Sequence, residues 1–379
     1  MDHTSRGYHR KKSAKITTIL FYLFLFIPIL CVWGADEEKE KSEKKSKDNS
    51  FIALPVIFYS PETKLAFGVG GGYYFRTVKG DALTNLSHLN GFMIYTLRNQ
   101  FRITLAPDFY FKRNVYRLQG ALSFSYFTDK LFGVGPDTTK DMEENFISRI
   151  YIFNLNLQRK IFLGFSGGIK LELARSTLVE VDEDGLLATG KILGSEGGIS
   201  SGLGLALNWD TRDNINFPVL GSYHQAYVVF FRRTLGSDFH FTKYVLDCRK
   251  YFTFLASQVL AIQGYFSFIS GDPPFQMMSL MGGQNNMRGY WMGRFRDKNL
   301  IIVQAEYRIP LVKRIGVVGF AGLGNVAERL SHFGRSDLKY SLGFGLRYAF
   351  NPKEKLNLRL DVGFTKEGAG FYITATEAF

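Results

Sequence analysis

The sequence contains little cysteine, tryptophan or proline. Among 379 residues there are 2 Cys, 3 Trp and 10 Pro. Cys31 lies in an N-terminal apolar segment that we expect to be removed, so that Cys248 alone would remain. An internal disulfide is therefore excluded, and packing and hydrogen bonding must hold the fold together.

The sequence also lacks a recognisable chemical site. Four histidines follow residue 34: His88, His224, His240 and His332. None of them is paired at the spacing of metal ligands. Two Gly-x-Ser-x-Gly matches, at 164–168 and 198–202, are not followed by the helix that a hydrolase nucleophile requires. We therefore expect no enzyme activity, no metal and no cofactor.

The sequence has one long apolar run, over residues 16–32. Five cations precede it: Arg6, Arg10, Lys11, Lys12 and Lys15. Small residues follow it, and this layout is typical of a secretory signal peptide. The alternative is an uncleaved membrane anchor, for which the run is nearly long enough. We predict a signal peptide over residues 1–34, with cleavage after Gly34.

The charge balance beyond residue 34 is basic. Removing the five cations and one anion of the leader leaves 42 Lys and Arg against 33 Asp and Glu, a net charge of +9. An exported chain with this surplus is expected to meet acidic lipid head groups rather than nucleic acid. Residues 35–50 are almost entirely charged or small, which predicts a disordered linker.

From residue 51 onward apolar and polar side chains alternate, for example over 101–111, 300–309 and 355–364. A soluble sandwich would also alternate, but its strands are typically about 5–6 residues long. Several stretches here reach the roughly 9–11 residues that a tilted strand needs to cross a bilayer. The pattern predicts an all-β fold, a transmembrane antiparallel β-barrel over residues 51–379.

The pattern predicts sixteen strands, an even number as bacterial barrels require. They are placed at 51–59, 64–76, 86–97, 99–112, 115–127, 146–158, 160–177, 191–209, 221–232, 239–252, 254–269, 299–309, 314–326, 338–350, 355–365 and 370–379. The long connections, such as 270–298, follow odd strands and are assigned to the extracellular side. The sixth of these loops is predicted to fold into the lumen.

The stretch GGQNNMRGYWMGRFRDKN, residues 282–299, lies in this sixth loop. A cation inside the barrel is costly unless a carboxylate pairs with it. Glu306 faces the polar side of the next strand, so an ion pair between Arg288 and Glu306 would fix the loop in the lumen.

Two further features lie near strand ends. Asp210, Arg212 and Asp213 belong to a dense polar turn, expected on the periplasmic side. The last strand places Phe371, Ile373, Ala375 and Phe379 on one face, expected to meet lipid. The aromatic terminus looks like the signal by which barrel-assembly machinery recognises its clients.

Together, MRGY at 287–290, AEYRIP at 305–310, WDTRDN at 209–214 and the aromatic C-terminus resemble the BamA/TamA superfamily of bacterial surface antigens. The resemblance implies that Arg288 locks the loop against Glu306, while Gly289 and Tyr290 shape its tip. In that family a Phe-x-Asp-x-Gly pattern supplies a second carboxylate. Here Gly322 occupies its place, and Asp297 is the substitute that we consider.

The resemblance implies a barrel in the outer membrane of a Gram-negative-type (diderm) bacterium, linked to insertion or translocation of proteins. Its expected partners are outer-membrane lipids, the barrel-assembly machinery during its own insertion, and unfolded outer-membrane protein clients. Insertases of the family carry POTRA domains, for which residues 35–50 leave no room. The alternatives are a gated or passive pore, with selectivity set by Arg102, Arg117, Arg359 and Asp361, and an adhesive surface antigen.

Overall fold

The computed structural model describes residues 49–78, 83–334, 338–352 and 355–379. They form a closed antiparallel barrel of sixteen strands and a separate two-stranded sheet. The predicted fold class is thereby confirmed. The predicted signal peptide and residues 35–48 of the predicted linker lie outside the described residues. Asn49 and Ser50, which we assigned to the linker, instead begin the first strand.

The barrel strands are listed here in chain order. They are β1 Asn49–Ser60, β2 Lys64–Phe75, β3 Ser87–Thr96, β4 Phe101–Phe111, β5 Tyr116–Leu131, β6 Glu144–Phe162, β7 Phe165–Val181, β8 Gly198–Asp210, β9 Gly221–Phe231, β10 His240–Phe254, β11 Gln258–Asp272, β14 Asn299–Val312, β15 Ile315–Ala327, β16 Lys339–Asn351, β17 Leu356–Thr365 and β18 Gly368–Ala375. The separate sheet consists of β12 Ser279–Met281 and β13 Phe295–Asp297.

Side chains alternate between the lumen and the outer surface along each strand. On β8, Ala206 and Asn208 are buried, whereas Leu205 and Leu207 are 60% and 49% exposed. Small and polar residues thus line the interior, and branched aliphatics and rings cover the outside. This is the distribution of a barrel whose outer face meets hydrocarbon. None of the short helical turns in the described part of the chain is long or apolar enough to span a membrane.

The two ends of the barrel differ in the length of their connections. At one end are 76–86, 112–115, 163–164, 211–220, 255–257, 313–314 and 352–355, most of which are tight turns. At the other end lie the longest connections, 132–143, 182–197, 273–298 and 328–338. Because barrels of this class have short periplasmic turns and long extracellular loops, we call these the periplasmic and extracellular ends.

Residues 273–298, here called the luminal loop, fold into the barrel as the sequence predicted. Within the loop, β12 and β13 pair from Ser279–Asp297 to Met281–Phe295. An apolar cluster packs the loop against the wall: Met281, Met287, Tyr290 and Phe295 from the loop, with Leu300, Ile302 and Val326 from β14 and β15. The loop is thus part of the packed interior.

The barrel closes weakly between β1 and β18. The backbone pairing between these two described strands is limited to Tyr59 of β1 and Ile373 of β18. By contrast, β17 and β18 pair from Leu358–Ala375 to Thr365–Gly368. The rings of Tyr59 and Phe371 add a contact across the seam, with centroids 5.7 Å apart. Most of the β1 edge therefore has no backbone partner from β18.

Candidate functional site

Arg288 lies at the tip of the luminal loop and is 1% exposed. Its Nη2 lies 2.5 Å from Oε1 of Glu306, and its Nη1 lies 2.5 Å from Oδ2 of Asp361. Both carboxylates are fully buried. The guanidinium also stacks on the Phe320 ring, with Cζ 3.5 Å from the ring centroid. Two charge-assisted contacts and a cation–π contact therefore fix one loop side chain.

Three wall strands supply these partners. Glu306 comes from β14, Phe320 from β15 and Asp361 from β17. Each of these residues points inward because it shares the phase of the luminal side chains along its strand. The structure thus brings Arg288 and Glu306 together, as the sequence predicted. It adds Asp361, which we had assigned to ion selectivity in a pore.

Glycine makes the close approach of loop and wall possible. Gly289 has φ +109°, a conformation that disfavours any side chain. A Cβ at Gly363 of β17 would lie 2.4 Å from the carbonyl oxygen of Arg288. Two backbones are therefore in direct contact here, and a larger residue would force the loop away from the wall.

The loop tip is also hydrogen-bonded to β16 and β18. The Ser341 hydroxyl donates to the carbonyl oxygen of Arg288. The backbone N–H of Gly289 donates to the Tyr372 hydroxyl at 3.0 Å, and that hydroxyl donates to the carbonyl of Tyr290 at 3.3 Å. Burial raises the pKa of Tyr290 to about 12, so its phenol is neutral. The tip thus contacts a strand of the seam.

The ion pairs continue beyond Arg288 into a network of seven charged side chains. Its members are Arg288, Arg308, Arg347, Arg359, Glu306, Asp361 and Glu377. Arg308 Nε lies 3.1 Å from Glu306, and Arg347 Nη1 lies 2.6 Å from Asp361. Each of the seven side chains is at most 5% exposed. We call this set the Arg288 network.

Further polar contacts attach the luminal loop around the lumen. Trp291 donates its indole N–H to Asp129 at 3.2 Å, and the N–H of Met292 donates to Glu62 at 2.8 Å. Arg294 Nη2 lies 2.6 Å from Oε1 of Glu367. These partners lie on β5 and on two separate extracellular turns. The loop therefore spans the lumen from one wall to the other.

Asp297 does not lie beside Arg288, so its predicted role as the second carboxylate is wrong. It belongs to β13, where it pairs with Ser279, and its carboxylate accepts the N–H of Lys298 at 2.7 Å. Burial raises the pKa of Asp297. Gly322, at the position of the family's aspartate, leaves space for Met287, since a Cβ there would lie 2.8 Å from its sulfur. Asp361 supplies the missing carboxylate from β17.

Two aspartates, Asp210 and Asp213, organise the predicted periplasmic turn. Arg212 Nε and Nη2 donate to the two carboxylate oxygens of Asp210, at 2.9 and 2.7 Å. Asp213 accepts the backbone N–H groups of Val219 and Leu220, at 2.9 and 3.1 Å. Its other oxygen lies 3.1 Å from Nζ of Lys355. This arrangement closes a turn of ten residues, 211–220.

The C-terminal residues do not continue the last strand, so the predicted lipid-facing position of Phe379 is wrong. Strand β18 ends at Ala375, and Thr376 has φ +64°. The chain then turns inward: Phe379 is 4% exposed and packs with Tyr251 and Ala261. Arg308 donates to the Phe379 carbonyl at 3.0 Å. A role of Phe379 as an assembly signal stays a prediction.

Solved structures with the same fold were found. BamA from Haemophilus ducreyi, lacking POTRA domains 1–3, is 14% identical with a TM-score of 0.61, covering 88% of this chain and 71% of that chain. CdiB from Escherichia coli is 9% identical with a TM-score of 0.57, covering 88% of this chain and 64% of that one. CdiB from Acinetobacter baumannii is 12% identical with a TM-score of 0.54, covering 86% and 59%.

Sequence comparisons identify the family. Protein TOC75-4, chloroplastic, from Arabidopsis thaliana is 41% identical over 68 residues, which are 18% of this chain and 17% of that protein. The chain thus matches about a sixth of this relative's length. The model of the Omp85 superfamily domain matches residues 90–374, which begin within β3 and end within β18. The chain belongs to the Omp85 superfamily, as a barrel of the outer membrane.

Proposed function

We propose that this barrel takes part in the insertion or translocation of proteins at the outer membrane, with the β1–β18 seam as the working surface. The observation that carries the proposal is the incomplete pairing of that seam. Strand β1 extends over Asn49–Ser60, yet it joins β18 at the Tyr59–Ile373 pair. Backbone groups without partners cost several kcal/mol each in hydrocarbon. An incoming strand would satisfy them.

The Arg288 network supports this proposal because it acts on one side of the seam. The luminal loop contacts β18 through the Tyr372 hydroxyl, and Glu377 links the residues after β18 to Arg347 at 2.7 Å. Strand β18 is therefore held from inside the barrel, whereas its bonding to β1 is slight. In this proposal the network keeps β18 in place while the β1 edge exchanges partners.

The test is the folding of a denatured outer-membrane protein in liposomes that contain this barrel. In a Cys248→Ser background, Tyr59→Cys with Ile373→Cys joins the seam by a disulfide, since directly opposed strand residues are close enough. Leu360→Cys with Ile373→Cys is the matched control, because it joins β17 to β18. We expect the protein to accelerate client folding, and the oxidised seam variant to lose that effect until it is reduced.

Two results would contradict the proposal. One is client folding no faster than in empty liposomes. The other is equal loss of activity in the seam variant and the control, since a general loss of flexibility would then explain both.

A second candidate is a gated pore, favoured by the contacts of the luminal loop with opposite walls. Anchors at Asp129 and Glu367 place the loop across the lumen. A pore of this kind should conduct weakly in planar bilayers, and Arg288→Ala should raise its conductance. Unchanged conductance in that variant would count against gating by the loop.

A further inference from the structure

Dibasic pairs recur at the periplasmic ends of the hairpins. The sequence has Lys112–Arg113, Arg159–Lys160, Arg249–Lys250 and Lys313–Arg314. Each pair lies within five residues of the periplasmic end of a strand. Six of the eight side chains are exposed and do not have the luminal phase of a strand. Arg249 instead faces Asp247 in the lumen, at 2.6 Å, and Lys160 shares the luminal phase of Gln158 on β6. We call the six remaining cations the basic belt: Lys112, Arg113, Arg159, Lys250, Lys313 and Arg314.

The basic belt has no carboxylate partner among the described residues. Among the residues that the structure describes, the carboxylates of the periplasmic turn at 211–220 and the strand before it are engaged elsewhere. Asp210 binds Arg212, and Asp213 binds Lys355. By contrast, exposed carboxylates are numerous in extracellular connections and at the strand ends next to them, among them Asp137, Asp141, Glu143, Glu180, Asp182, Glu183, Asp184 and Glu196. The cationic surplus is therefore concentrated at the periplasmic end, as expected of a surface that meets fixed negative charge.

Exposed apolar side chains accompany the belt cations. The β6–β7 hairpin tip carries Ile161, Phe162 and Leu163, which are 60%, 59% and 86% exposed. Near Lys313 and Arg314, Val312 and Ile315 are 65% and 48% exposed. Cations beside apolar groups that continue the hydrocarbon-facing surface are typical of the membrane interface. A soluble acidic protein would not cover such residues around several hairpins.

We propose that the basic belt binds the phosphate groups of anionic phospholipids in the periplasmic leaflet, while the neighbouring apolar side chains contact the acyl chains. The binding is a property of the barrel's outer surface and is independent of the luminal loop and the seam.

Trp209 is a native reporter for this site. It faces outward on β8 near the periplasmic end and is 50% exposed. Arg159 on β6 and Lys250 on β10 lie on the same outward face, each two strands away. Arg159 pairs with Gly167, which is opposite Leu207, and Lys250 pairs with Ser222, two residues before the His224 that is opposite Trp209. Trp291 lies in the luminal loop, where lipid chains do not reach. A Trp209→Phe variant measures the signal of the other tryptophans, which is then subtracted.

The experiment compares quenching of Trp209 by brominated phosphatidylglycerol and by brominated phosphatidylcholine, at equal mole fractions in vesicles. Each cation near an anionic lipid surface strengthens the association of the protein with that surface by about fivefold. We therefore expect the anionic lipid to associate at least about threefold more strongly at low salt, and less at high salt. Arg159→Gln with Lys250→Gln should bring the ratio close to one.

The matched control is Lys191→Gln with Arg233→Gln, which removes two exposed cations at the extracellular end. This control variant should keep the parent protein's preference for the anionic lipid. Folding of every variant is checked by its heat-dependent mobility in gels. Equal quenching by both lipids in the parent protein would overturn the proposal. It would indicate instead that the basic belt binds an acidic protein. A preference for the anionic lipid that survives the Arg159 and Lys250 substitutions would overturn it as well.

Discussion

Glu306→Gln is expected to destabilise the barrel more than Arg288→Met, although both substitutions break the same ion pair. The Arg288 network has four arginines and three carboxylates, a net charge of +1. Removing the charge of Arg288 leaves three arginines and three carboxylates. Removing Glu306 leaves four arginines facing two carboxylates, a net charge of +2 in a region shielded from water.

The magnitudes follow from the remaining contacts. Removing one partner of a buried ion pair typically costs about 3–5 kcal/mol. Arg288→Met should lie near the lower end, about 3 kcal/mol, because Glu306 keeps Arg308 at 3.1 Å and Asp361 keeps Arg347 at 2.6 Å. Glu306→Gln should lie near the upper end, about 5 kcal/mol, because three arginines, Arg288, Arg308 and Arg347, lose a fully buried carboxylate.

The assay is urea unfolding of the barrel in lipid vesicles, with the folded fraction measured by gel mobility without heating. The double variant Arg288→Met/Glu306→Gln restores a net charge of +1, so its loss of stability should be smaller than the sum of the two single losses. Equal losses for the two single variants, or additive losses in the double variant, would refute the charge-balance reasoning.

Two other substitutions test the packing of the loop and the periplasmic turn. Gly363→Ala should displace the loop tip, at a cost of about 1–3 kcal/mol, and make the loop sensitive to protease. Gly319→Ala is the control and should do neither, because nothing lies within 4 Å of a Cβ at that position. Asp213→Asn should cost about 1 kcal/mol at pH 7 in the same unfolding assay. Although burial acts in the opposite direction, hydrogen bonds from Val219 and Leu220 and the contact with Lys355 lower the pKa of Asp213. The contribution of Asp213 to stability should therefore be complete above about pH 4 and disappear as the pH falls through the lowered pKa. The parent protein and the variant should then be equally stable in acid. A difference in stability that stays constant with pH would contradict this.

The alternation of side chains was sufficient to predict the barrel and its sixteen strands, because a period of two records the inner and outer faces directly. Strand ends were less predictable. The predicted strand 191–209 begins at Gly198 instead, since Gly194 and Gly197 have φ +91° and +85° and belong to the loop. Conversely, β6 reaches Phe162, beyond its predicted end at residue 158. Local pattern does not show where pairing stops.

The candidate site could be predicted only in part for a related reason. Periodicity places Glu306 and Asp361 on the inner face, but it does not show which inward residues a distant loop will reach. Glu306 is close in sequence to Arg288, whereas Asp361 lies 73 residues away. The inward turn after Ala375 was missed because it begins at Thr376, a residue with no turn signal of its own.

The position of Asp361 has a consequence for the order of assembly. Arg288 precedes β14, yet one of its two carboxylates lies on β17, the last strand but one. A barrel that lacks its final strands would contain a buried arginine without that carboxylate and a loop tip without Gly363 and Tyr372 to contact. The luminal loop therefore reaches its final position only when the whole chain has arrived, and its attachment distinguishes a finished barrel from a truncated one.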